Sequence, residues 1–404
     1  MHVFFLQTEP DIDHLTPVVH RLWQKERDSV LIVLSNPNWN MRTDYRISFL
    51  IESCGVPALD IEDIQSSLTR KIRKFIRKVV YSLPFDGLWL YRRYLVNMYL
   101  NYRTKLLTSS VLVEFLSSFS VNSVTLDTGQ PKEFIAAMSS AADQANVTLI
   151  LYSSGPKFFV KPHLKFLDNG SWHTPESLGD SLKFGDFTIF EHRWGISAKV
   201  LDLNRTKIFG VPRFSKEWMT LNDALIHKAF GKTVLPENQS KLKVLVFAQS
   251  SNKFPRNHTL IKRLEERDDL CVLIKDKPRF VGKRSRFEKE PTNRLPSPLL
   301  IEWADVVVSG LTSVLYDALQ RRKIVMWLQF INPGEKADFE KFEVLHVIKS
   351  EAQLLEALDR QIYCGENTIG NEKKIQQCIT ESINCGGSDE DILIKTYNFY
   401  RDLV

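Results

Sequence analysis

Short, unbroken apolar runs recur along the chain, and most are followed by a helical stretch. In the first half these runs are Val3–Leu6, Ser29–Leu34 (SVLIVL), Val56–Ile61, Ser123–Leu126, Val147–Tyr152 and Phe187–Phe190. In the second they are Lys243–Phe247, Cys271–Lys275, Val306–Val308 and Ile324–Leu328. A strand with one wet face alternates polar and apolar residues, whereas a strand buried on both faces does not. Helical patterns over His14–Glu26, Pro131–Ala145, Thr259–Glu266 and Thr312–Gln320 separate the runs. Strand–helix alternation with continuous apolar strands specifies parallel sheets covered on both sides.

The series breaks once. Residues 164–178 are rich in Gly, Asn, Ser and Pro, Ile208–Trp218 reads as a crossover, and a fresh series starts after Pro236. The expected fold class is therefore α/β, two doubly wound Rossmann-like domains facing a cleft. The expected N-terminal, acceptor-side domain covers 1–210, with a basic amphipathic helical insertion over 66–107. A linker follows over 211–234. A donor-binding domain covers 235–380, and a last helix within 381–404 is expected to pack back across the first domain. A length of 404 residues suits this division.

Charge narrows the partners. The formal net charge is +6, yet residues 66–105 alone hold ten Lys/Arg against one acid. The positive charge is thus one surface rather than a property of the whole body. Within it, Leu68, Ile72, Phe75, Ile76, Val79, Val80 and Leu83 recur every three or four residues. Arg70, Lys71, Arg73, Lys74, Arg77 and Lys78 fill the other faces, and Arg92 and Arg93 follow among tyrosines. Such a basic amphipathic helix suits an anionic inner-leaflet membrane surface or a charged lipid-linked acceptor, and equally a helix packed on the domain with a solvated face. No nucleic-acid-binding signature accompanies it, so no nucleic-acid partner is expected. The five cysteines are odd in number and form no CxxC pair, which argues against a disulfide framework or zinc site and for a reducing compartment. The first residues show no signal peptide, and no run of 18 apolar residues occurs. The expected location is cytoplasmic, peripheral at the inner face of the plasma membrane.

In open parallel sheets ligands bind beyond the carboxyl ends of the strands. Five loops follow such ends, Asp127–Gln130, Ser153–Pro156, Gln249–Lys253, Lys275–Arg279 and Ser309–Ser313. In Ala304–Leu319 (ADVVVSGLTSVLYDAL) a strand closes at Ser309, Gly310 permits a sharp turn, and Thr312 or Ser313 can cap a helix. Amides at such a turn suit a phosphate, and Asp317, one turn in, suits a ribose diol; a plain cap and a solvated carboxylate are the bland alternatives. Lys275, Lys277 and Arg279 stand within five residues, in a stretch to Arg294 with eight Lys/Arg and three acids. That loop suits a diphosphate or an acidic sugar. Ser250 and Lys253 lie on the loop after the first strand of the second series. In the first domain Asp127 closes a strand before Pro131, either as general base or nucleophile or as the cap of the turn. Glu191 and His192 follow Phe187–Phe190 and are further catalytic candidates, or structural polar groups.

Trp303–Phe330 resembles the donor-binding segment of two-domain GT-B glycosyltransferases, most nearly the bacterial capsule and surface-polysaccharide families, which include Kdo transferases and polyol-phosphate transferases. The matching positions are Asp305, Thr312–Ser313 and Asp317. The family pattern Lys-x-His-Pro-Arg is met by Lys275-Asp276-Lys277-Pro278-Arg279, with Lys277 in place of the histidine. Asp127–Pro131 and Gly210–Phe214 are further similar fragments. The resemblance implies a glycosyltransferase moving a sugar from a nucleotide donor to a glycan or lipid-linked acceptor. No DxD-type metal site stands out in a suitable loop, so a metal-independent enzyme without a cofactor is expected. The basic donor-side loop favours a CMP-linked acidic sugar such as Kdo. The alternatives are a CDP-polyol phosphotransferase or a nucleotide-sugar epimerase of the same fold, and a non-catalytic membrane-associated scaffold.

Overall fold

A computed structural model describes residues 1–36, 40–64, 108–153, 159–160, 182–191, 204–236, 241–248, 255–276, 291–331, 336–364, 372–386 and 391–403. The first half is one parallel sheet in the order β3-β2-β1-β4-β5-β7-β8. Its strands are β1 (His2–Leu6), β2 (Val30–Leu34), β3 (Ala58–Asp60), β4 (Ser123–Asp127), β5 (Thr148–Ser153), β7 (Phe187–Phe190) and β8 (Thr206–Ile208). The two-residue β6 (Phe159–Val160) stands outside this sheet and pairs antiparallel with β13 (Lys336–Ala337) of the second half.

The second half is a five-stranded parallel sheet, β10-β9-β11-β12-β14. These strands are β9 (Leu242–Ala248), β10 (Leu270–Asp276), β11 (Val306–Ser309), β12 (Ile324–Leu328) and β14 (His346–Ile348). The expected α/β class with two Rossmann-like halves is what the chain forms.

The continuous apolar runs are explained by burial on two sides. In β1, Val3 and Phe5 join the core under the helices Ser109–Ser118 and Lys132–Ala145, together with Leu31 and Val33 of β2. Phe4 and Leu6 face the opposite way, with Ile32 and Leu34, onto helix α1 (Glu9–Lys25). The second sheet repeats the division, with Leu245, Phe247, Val307 and Trp327 on one side and Val244, Val246, Val308 and Met326 on the other.

Two crossings join the halves. At the first, Gly210 has a φ of +99°, and a Cβ there would stand 2.7 Å from the Ile383 carbonyl oxygen. Only glycine fits that approach. Next to it the Val211 amide donates to the same oxygen at 3.0 Å. The segment expected as a linker carries the helix Lys216–Phe230, capped by Ser215 Oγ accepting from the Trp218 amide. The second crossing leads to the helix Asp391–Arg401, which lies on the first half. Tyr400 is fully buried there, its hydroxyl 2.9 Å from Thr125 Oγ1 and its ring against His2 and Phe4.

Candidate functional site

Each sheet reverses its strand order once. In the first sheet the reversal falls between β1 and β4, in the second between β9 and β11. Crevices beyond the carboxyl ends at such points are where doubly wound sheets bind ligands. The residues that leave β1 and β11 are therefore the ones to follow.

After β1 the chain turns through Gln7 and Thr8 into α1. Thr8 caps the helix: its hydroxyl accepts from the Asp11 amide, and Asp11 Oδ2 accepts from the Gln7 and Thr8 amides, both at 2.8 Å. This reciprocal cap fixes where α1 starts and so places Glu9, Asp13 and His14. Asp13 accepts from Arg46 and, at 3.3 Å, from Arg213 Nη1. Arg46 also grips Asp44 through Nε (2.9 Å) and Nη2 (2.7 Å). Arg213 belongs to the short turn Pro212–Phe214 just after the first crossing. Burial pulls its guanidinium down from the usual value, while the negative charges of Asp317, Glu191 and Glu9 act against that. Arg213 thus senses carboxylates from both halves.

Glu191, directly after β7, is 2% exposed. Its Oε1 takes two bonds, from Tyr152 OH at 3.0 Å and with His14 Nδ1 at 2.5 Å. Burial, followed by the Glu191 charge, raises the Tyr152 pKa, so the phenol keeps its proton. Among the described residues neither Glu191 Oε2 nor Arg213 Nε has a hydrogen-bond partner, although both are buried.

In the second half Ser309 ends β11, and its buried hydroxyl likewise has no partner among the described residues. The helix after it, Val314–Gln320, is only seven residues long, and its N-cap Ser313 makes no side-chain capping bond. The expected cap by Thr312 or Ser313 is therefore replaced by backbone turns, Leu315 N to Thr312 O and Tyr316 N to Ser313 O. Asp317 is held by Arg321 Nε at 2.8 Å, and Arg321 forks onto Asp223 of the helix Lys216–Phe230 at 2.9 and 2.6 Å. Burial works against the Arg321 charge, but Asp317 and Asp223 outweigh it and hold its pKa above the usual value.

One sequence expectation changes in detail. Lys275 was expected to project from a loop toward phosphate. It is 4% exposed and donates to the Leu295 carbonyl at 2.5 Å and the Asn293 carbonyl at 3.4 Å. Burial lowers its pKa to about 8, with Glu9 opposing that shift. The carbonyls capture it because β10 ends one residue later than expected, at Asp276. Asp127 Oδ1 accepts from the Gly129 amide at 2.6 Å, closing the turn before Pro131.

The structure brings Ser309, Gly310, Thr312, Ser313 and Asp317 onto one turn of the second half, and places Asp127 and Glu191 at strand ends of the first. His192, Ser250, Lys253, Lys277 and Arg279 lie outside the described residues, as do Arg70, Lys71, Arg73, Lys74, Arg77, Lys78, Arg92 and Arg93. Among the described residues no group of three His, Cys, Asp or Glu could hold a metal, and no helix is long and apolar enough to cross a membrane. The sequence reading missed His14, Tyr152, Asp13, Arg46 and the role of Arg213. A signal was present, since β1 is a central strand and its exit loop was not among those followed.

No protein-family model and no curated protein matches the chain. Solved structures do. UDP-GlcNAc 2-epimerase from Neisseria meningitidis bound to UDP-GlcNAc aligns over 99% of this chain and 100% of its own, with a TM-score of 0.56 and 13% identity. The enzyme of that name from Methanocaldococcus jannaschii aligns over 94% and 99%, TM-score 0.54, 15% identity. Alr3699/HepE from Anabaena, in complex with UDP and glucose, aligns over 99% and 98%, TM-score 0.52, 12% identity. The fold is the two-domain GT-B type. At this identity the likeness concerns the path of the chain, and a shared fold leaves function to the site itself.

Proposed function

We propose that the chain is a nucleotide-sugar enzyme, with sugar epimerisation favoured over glycosyl transfer. The observation that carries this reading is the end-to-end likeness to UDP-GlcNAc 2-epimerases, which spans both halves. The Ser309–Ser313 turn and Asp317 stand at the switch point of the second sheet and serve the phosphates and the ribose. Asp317 keeps one carboxylate oxygen beside its bond to Arg321, and its charge reaches Arg213, just after the first crossing, and Tyr45 of the first half. This corrects the leading sequence expectation: a nucleotide-sugar epimerase, there the alternative, takes the place of a Kdo or polyol-phosphate transferase. The nucleotide is uridine in this reading, with a CMP-linked donor as its competitor.

The test is titration calorimetry with UDP, UDP-GlcNAc, CDP and CMP, followed by proton NMR of UDP-GlcNAc incubated with the protein. Tight binding of uridine nucleotides and appearance of a second hexosamine epimer are the expected results. Asp317→Ala should weaken UDP about tenfold to a hundredfold, the worth of hydrogen bonds to a charged group. Selective CMP binding with no epimer would return the assignment to the acidic-sugar transferase. In the same proposal the basic stretch over 66–105 draws the protein to anionic membrane. Neutralising Arg70, Lys71, Arg73 and Lys74 should then abolish sedimentation with phosphatidylserine vesicles, and unchanged sedimentation would remove that partner.

A further inference from the structure

His14, Glu191 and Tyr152 come from three separate elements and meet at the carboxyl edge of the first sheet. His14 lies on α1, which leaves β1 at the switch point; Tyr152 is near the end of β5; Glu191 follows β7. All three are at most 3% exposed. Glu191 Oε1 receives both neighbours, and an ionised carboxylate is an acceptor only. Nδ1 of His14 therefore carries the proton it shares with Glu191, and in the neutral ring the lone pair stands on Nε2. Among the described residues nothing is bonded to Nε2. This is the arrangement that turns an imidazole into an acid–base group: a carboxylate fixes the tautomer, orients the ring and steadies the cation that forms.

A purely structural role accounts for this trio poorly. Buried polar clusters gain little over apolar packing unless every member is satisfied. Among the described residues Glu191 Oε2 is left over, as is Arg213 Nε, whose guanidinium senses Glu191 and Asp317 together. Asp13, the residue before His14, holds that same Arg213. The orphaned acceptor thus belongs to the carboxylate that holds His14, and the orphaned donor to an arginine held by the preceding Asp13 and under the charge of Asp317 in the second half.

We propose that His14 takes a proton from a hydroxyl of the bound sugar and returns it, while Glu191 and Tyr152 position it. The proposal rests on the nucleotide-sugar reading above. As the sugar O–H bond breaks, its electron pair stays on oxygen and the proton bonds to Nε2. The imidazolium charge is balanced by Glu191, and the reverse transfer restores the hydroxyl and the neutral ring. His14 is then the catalytic residue, and Glu191 and Tyr152 are positioning residues.

The test is nitrogen NMR of the full-length protein labelled with 15N-histidine, the His14 signals being identified by their loss in His14→Gln. In the free protein Nδ1 should be protonated, with a downfield-shifted proton that disappears in Glu191→Gln and weakens in Tyr152→Phe. UDP-GlcNAc should shift the Nε2 resonance, and UDP alone should leave it in place. A proton on Nε2 rather than Nδ1, or an Nε2 signal unmoved by UDP-GlcNAc that calorimetry shows to be bound, overturns the proposal. If calorimetry finds no binding of UDP or UDP-GlcNAc, the nucleotide-sugar reading falls and the catalytic role with it. A persisting Nδ1 proton would in that case mark the trio as core structure. Because the decisive spectra come from the unmodified chain, a variant that fails to fold costs only an assignment.

Discussion

Buried side chains with leftover polar atoms say more about this protein than its exposed charges do. His2 illustrates the cost of such burial. It is 1% exposed, its Nδ1 is 2.8 Å from Ser123 Oγ, and its Nε2 has no partner among the described residues. Burial, assisted by the nearby amino terminus, lowers its pKa from 6.5 to about 4. The unfolded chain therefore takes up a proton near pH 6.5 that the folded chain refuses until about pH 4. Stability is fully present above pH 6.5 and declines as the pH falls through that window, by up to about 3 kcal/mol from this residue. His20, also lowered by burial, adds a decline of the same sign. Urea titrations at pH 7 and pH 4.5 should show a smaller loss for His2→Gln than for the unmodified chain. An equal loss in both would mean that His2 ionises freely in the fold.

At the scale of elements, the sequence was most readable where physics leaves one choice. VFFL and SVLIVL could only be strands covered on both faces, and they are. Boundaries were readable where a proline marked them: the start of Lys132–Ala145 follows Pro131, whereas Val314–Gln320, with no such mark, begins later than Thr312 suggested. Sites built on one turn, such as Ser309–Asp317, could be read from spacing. A site built from α1, β5 and β7 could not, because His14 and Glu191 are 177 residues apart and only the sheet order brings them together. Gly210 lies between these cases. Its stretch, Ile208–Trp218, could be read as a crossover, but the reason for glycine is the Ile383 carbonyl 2.7 Å from where a Cβ would be. Gly210→Ala should therefore cost well over about 1 kcal/mol, since the strained φ and the clash with backbone add. Denaturant unfolding measures this, and a loss below that value would show that the crossing relaxes freely.

For the molecule as a whole, the question is whether two sheets with separate cores behave as two proteins. Four links argue that they do not. The chain crosses at Gly210 and again after Ile383, β6 pairs with β13, and the helix Lys216–Phe230 grips both halves. On that helix Asn222 accepts from Tyr45 of the first half at 2.9 Å, while the adjacent Asp223 holds Arg321 of the second. The last helix adds an apolar contact, since Tyr400, Phe399 and Tyr397 pack on one face of the first sheet and the flank of α1. Removing it exposes His2, Phe4 and Phe187 and leaves the Thr125 hydroxyl without Tyr400. Loss of one large aromatic side chain from a core costs about 3–5 kcal/mol, so loss of the whole helix should cost the first half more than that. Scanning calorimetry of the intact chain should show one transition. A chain ending at Gly386 should show two, the earlier belonging to the first half, because the second half keeps its own core around Trp327. A single, unshifted transition in the shortened chain would mean that Asp391–Arg401 rests on the first sheet without supporting it.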